Sequence, residues 1–119
     1  MISIVNKRLH TSTEYDHYIG RPNTLGNKYS HLDTSKYGTI KVATREKAVE
    51  LYEQWLDEEL KTNRKVKHEF EVLVAVYKAT KKLNLVCWCA GKTPLTISDT
   101  PFRCHGQVLA KKIIDASKK

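Results

Sequence analysis

Leu85-Val86-Cys87-Trp88-Cys89-Ala90 is the stretch on which the fold turns. An unbroken apolar run of strand length suits a strand covered on both faces, and such strands belong to parallel sheets. Upstream, His68 to Leu83 fits two patterns. Val72-Leu73-Val74-Ala75-Val76-Tyr77 is β-branched like a buried strand, yet Phe70, Leu73, Val76/Tyr77, Thr80 and Leu83 also recur at helical spacing. The segment exceeds the usual strand length, which favours a helix. Before it, Thr44 is an N-cap candidate, and Ala48, Leu51, Tyr52, Trp55, Leu56 and Leu60 form an apolar stripe at three-and-four spacing. That stripe accounts for Tyr52 and Trp55 as core residues.

Working outward, Ile2 to Val5 reads as a first strand. Residues 9–36 lack periodicity and are rich in turn formers, with a short extended piece expected at Tyr15–Ile19. Gly38 to Ala43 reads as a second short strand or as the lead into the Thr44 helix. Beyond the central run, residues 91–103 form a loop with Pro94 and Pro101, and a last helix is expected from about Cys104 to Ala116. The alternation implies an α/β fold: a single compact layered domain over 1–119, with a small, mostly parallel sheet and about three helices.

Composition bounds the function classes. Hydrophobic residues make up 40% and charged residues 29%, as in ordinary globular domains rather than disordered chains. No apolar run approaches the ~20 residues of a membrane-spanning helix, so no membrane partner is expected. The start of the chain lacks the pattern of a secretory leader. Three cysteines cannot all pair with one another, which argues for a reducing, cytoplasmic setting. The net charge of +8 is uneven. Residues 1–43 carry six Lys/Arg against three Asp/Glu, 44–60 two against six, and 61–119 thirteen against four. A basic C-terminal half suits nucleic acid, nucleotides or simple solubility.

All three cysteines lie within eighteen residues, in Cys87-Trp88-Cys89 and Cys104-His105-Gly106. On a strand Cys87 and Cys89 share a face, and Cys104 and His105 open the final helix, whose dipole favours thiolates and anions. Three readings stay open. Cys87, Cys89, Cys104 and His105 match a zinc set in number and type, although the C-x2-C spacing is absent and neighbouring Cys104 and His105 converge poorly on one ion. Alternatively the strand end and helix start form a ligand or active site, with Cys104 or His105 on the substrate. The third reading is structural, with the cysteines filling core.

Taken together, Val5-Asn6-Lys7-Arg8, Tyr18-Ile19-Gly20-Arg21-Pro22, Leu25-Gly26-Asn27, the helix with Tyr52 and Trp55, and the two cysteine motifs resemble a known family. It is the group of small bacteriophage and bacterial proteins called domain of unknown function four-three-two-six. The resemblance spans most of the chain and implies a compact α/β protein of a bacterial or phage-infected host cytoplasm. It carries no established activity. The chain departs from the family pattern in the fourteen residues 90–103 between the cysteine motifs, where a short Pro-containing turn is usual, and in Lys28 where Pro is usual.

The resemblance singles out Asn6, Arg21 and Asn27. Arg21 stands between Gly20 and Pro22, a stiff setting that suits bidentate recognition of phosphate or carboxylate. The expectation is a protein that binds a nucleotide or nucleic-acid component at the start of the last helix. Arg21 would hold phosphate and Asn27 the sugar or base, with Asn6 and Gly106 as further ligand-binding residues and His105 and Cys104 as the catalytic candidates. No convincing Asp/Glu pair, Gly-rich phosphate loop or Ser nucleophile motif accompanies them, so whether the chain is an enzyme stays open. The alternatives are a phage accessory protein that binds host protein or nucleic acid through its basic surface, and a zinc-stabilised module. No cofactor other than zinc enters.

Overall fold

The computed structural model describes residues 2–8, 13, 15–19, 25–26, 29–30, 40–87, 94–100, 102 and 104–118. Among them the strands are β1 (Ile2–Asn6), β2 (Asp16–Tyr18), β3 (Tyr29–Ser30), β4 (Ile40–Lys41) and β5 (Leu83–Cys87). The helices are α1 (Arg45–Thr62), α2 (Arg64–Thr80) and α3 (His105–Ser117). The main sheet has the order β1-β5-β2, with both pairings parallel. β5, the expected central run, is buried at all five positions, as a strand flanked and covered on both sides must be. The α/β class and the parallel sheet read from the sequence are therefore present.

Local chemistry sets the helix boundaries. The Thr44 hydroxyl accepts the Lys47 N–H at 3.1 Å, capping α1 where the sequence placed its start. Asn63 serves both neighbours: its N–H donates to the Glu59 carbonyl at 2.8 Å, closing α1. Its side chain accepts from the N–H groups of Lys65 and Val66, opening α2. The ambiguous segment is a helix, but it runs four residues earlier than His68 and stops before Leu83. Lys81 adopts the left-handed conformation (φ 59°) and its N–H returns to the Tyr77 carbonyl, ending the helix. Leu83 and Asn84 consequently belong to β5, which starts ahead of the expected Leu85. Asn84 is tolerated there because its amide donates to Thr13 Oγ1 and Asp16 Oδ1.

Ile2, Ile4, Leu83, Leu85 and Cys87 present one sheet face to Leu56, Leu73, Leu109 and Ile113 of the three helices. β1 gains a further edge contact from Leu95, which exchanges two backbone hydrogen bonds with Ile4 at 2.8 and 2.9 Å. The strands being parallel, Asn6, Ile19 and Cys87 all stand at the carboxyl edge, and α3 starts there too.

Candidate functional site

Cys104 is the N-cap of α3: its sulfur accepts the Gly106 N–H at 3.4 Å. Gln107 completes a capping box, its Oε1 accepting the Cys104 N–H at 3.1 Å. Its Nε2 donates outward to the carbonyls of Thr96 and Asp99 at 2.9 and 2.7 Å. A fully buried amide thus ties the Thr96–Asp99 turn to the start of α3.

His105 is buried, with 4% of its surface exposed. Its Nε2 donates to the Ile19 carbonyl at 2.9 Å, so in the neutral ring Nδ1 carries the lone pair, 3.9 Å from Cys104 Sγ. Tyr52 packs edge-on against the imidazole at 4.9 Å between centroids and donates its hydroxyl to the Leu25 carbonyl at 2.7 Å. The two rings therefore hold the residues on either side of positions 20–24. Ile19 and Leu25 are themselves 1% exposed.

Gly106 lies where a close approach requires it. A Cβ at this position would stand 2.9 Å from Ile4 Cγ1 and 3.1 Å from Ile19 Cδ1. Gly106→Ala is expected to lower the unfolding free energy by about 1–2 kcal/mol, overpacking outweighing the helical gain of alanine. Urea denaturation checks this, and a neutral or stabilising result would contradict the packing.

Burial, with the neighbouring Cys104 adding to it, pushes the Tyr52 hydroxyl far above its ordinary value of 10. The folded state keeps a proton that the unfolded state releases, so this contribution is complete below pH 10 and is lost as pH rises beyond it. Tyr52→Phe is expected to cost about 1 kcal/mol at pH 7 through loss of the buried hydrogen bond to the Leu25 carbonyl. Above pH 10 the variant should also lose stability less steeply than the parent, by up to about 1.4 kcal/mol per pH unit. Parallel urea titrations between pH 7 and 11 measure both, and equal alkaline slopes would refute the assignment.

Of the residues expected to form the site, the structure brings Cys87, Cys104, His105 and Gly106 together. Cys87 Sγ and Cys104 Sγ are 3.0 Å apart. Asn6 stands at the same edge, its Oδ1 accepting the Arg8 N–H at 2.8 Å. Arg21, Asn27 and Cys89 lie outside the described residues. Among the described residues no group of three His, Cys, Asp or Glu side chains is arranged to hold a metal ion. Tyr52 and Gln107 are the members that the sequence reading missed as parts of the site. Gln107 had a signal, standing three residues after a helix cap as in a capping box.

An α/β protein with parallel strand ends and a capped helix start at one edge is thereby defined. The family model described as Domain of unknown function (DUF4326) matches residues 2–115, and the chain belongs to that family. No curated protein and no solved structure matches the chain. No described helix is long and apolar enough to cross a membrane.

Proposed function

We propose that the protein binds a nucleotide or nucleic-acid component, through its phosphate, at the carboxyl edge of the β1-β5-β2 sheet. The observation that supports this reading most is the anchorage of Ile19 and Leu25, the described residues on either side of positions 20–24. His105 holds Ile19 and Tyr52 holds Leu25, the two rings touching one another. Arg21 is two positions along the chain from Ile19. Open parallel sheets bind ligands beyond their carboxyl ends, and a guanidinium is the side chain best shaped for a phosphate there.

In this reading Arg21 is the phosphate ligand and Asn27 hydrogen-bonds sugar or base. Asn6 borders the site from the end of β1. Cys104, His105 and Gly106 act beneath it as positioning residues: their polar groups face one another and Ile19, and Gly106 lets α3 approach Ile4. Transfer or hydrolysis at a phosphoryl or glycosidic centre would require His105 to exchange the Ile19 carbonyl for substrate.

Isothermal titration with nucleoside mono-, di- and triphosphates and short single-stranded DNA and RNA tests the proposal. A ligand of this class should bind the parent, and Arg21→Ala should weaken it at least tenfold with the melting temperature unchanged. Steeply salt-dependent DNA or RNA binding that survives Arg21→Ala would instead favour a basic-surface interaction. Lys7 over the Tyr18 ring at 4.5 Å and Lys82 over Tyr15 at 5.0 Å mark where that surface flanks the sheet.

A further inference from the structure

We propose that Cys87 and Cys104 form a reversible disulfide, making the junction of β5 and α3 a thiol–disulfide site for a small disulfide such as oxidised glutathione. Both are buried thiols that the structure holds outside any disulfide, one at the end of the central strand and the other at the cap of the last helix. Their sulfurs are 3.0 Å apart, about 1 Å more than the ~2.05 Å of a disulfide bond. The bond therefore forms with a side-chain adjustment instead of a rearrangement of strand and helix. Only residues 88–103 lie between the two, so it closes a short loop.

The chemistry has a proton acceptor in place. With the Nε2 proton directed at the Ile19 carbonyl, His105 Nδ1 takes the Cys104 proton across 3.9 Å. The Gly106 N–H points at the same sulfur. The Cys104 thiolate attacks one sulfur of the small disulfide, forming a mixed disulfide and expelling the first thiolate. Cys87, giving up its own proton, then attacks Cys104 Sγ and expels the second. Two protein thiols are oxidised to one disulfide, and the small disulfide is reduced to two thiols carrying the two protons. Burial of both sulfurs makes the first exchange depend on local opening of this edge.

The test incubates the native, reduced full-length protein with oxidised glutathione at pH 8 without denaturant. Intact mass spectrometry should show a loss of about 2 Da and no lasting glutathione adduct. Trypsin should then yield residues 83–92 linked to residues 104–111, reversed by dithiothreitol. The oxidised form should melt at a higher temperature. Cys89→Ser should behave like the parent; where that variant does not fold, fragmentation of the parent's linked peptide identifies the sulfur. His105→Gln, which keeps a donor for Ile19 but loses the basic nitrogen, should react several-fold more slowly.

A chain that stays reduced under native conditions, a bond through Cys89, or a stable adduct on Cys104 would overturn the proposal. So would thiols that resist oxidation because the purified protein retains stoichiometric zinc.

Discussion

Tyr52→Ala is expected to lower the unfolding free energy by about 4 kcal/mol, close to the full stability of a marginal domain. Tyr52 is fully buried, and its ring lies against both His105 and Trp55, the latter at 5.6 Å between centroids. Truncation opens a cavity between α1 and α3, and the Leu25 carbonyl loses the phenol that donates to it. The damage extends to His105, whose imidazole loses the edge contact that orients it toward Ile19. Equilibrium urea unfolding gives the magnitude. A loss below about 1.5 kcal/mol would mean that the site collapses around alanine, and the anchoring role given to the ring would be wrong.

Gln107→Leu should cost about 3 kcal/mol although leucine fills a similar volume and is more apolar. The glutamine amide satisfies three backbone groups at once: the Cys104 N–H and the Thr96 and Asp99 carbonyls. Asp99 is exposed and its carbonyl can turn to water, but Cys104 is fully buried, so the Gln107 acceptor lost by its N–H is not readily replaced by solvent. The turn itself should survive, since Thr96 and Asp99 also bond one another through backbone and side chain. Hydrogen exchange should accordingly show loss of protection at the start of α3 before its end. A leucine variant as stable as the parent would remove Gln107 from the elements that fix this helix.

The sequence reveals those parts of the fold that depend on neighbours along the chain. The apolar stripe from Ala48 to Leu56 and the cap at Thr44 are local, and α1 matches them. Length and periodicity favour a helix over His68 to Leu83; the helix present, Arg64–Thr80, takes its ends from the Asn63 cap and the left-handed Lys81. Leu83 fits the helical repeat equally well, yet it pairs with Ile2 as the first residue of β5. Asn84 looks out of place in a buried strand until Thr13 and Asp16, more than sixty residues away, are seen to satisfy it.

The site follows the same rule. Cys87 and Cys104 stood out by composition, and His105 by standing at a helix start. That His105 spends its Nε2 proton on a carbonyl 86 positions earlier leaves no trace in spacing or periodicity. Tyr52 fits its helical stripe fully as a core residue, so nothing in the pattern marks its hydroxyl as the holder of Leu25.

The central position of β5 has a consequence for the order of assembly. Ile2 pairs with Leu83 and Asp16 with Asn84, so both outer strands wait for a partner from the last third of the chain. A nascent chain emerging from the ribosome can form the α1–α2 hairpin early, from contacts close in sequence. Its amino-terminal strands stay unzipped until residue 87 clears the exit tunnel. Such distant pairing slows folding, and a chain cut short before residue 83 would be a helical fragment with two exposed strand edges, a natural target for proteolysis.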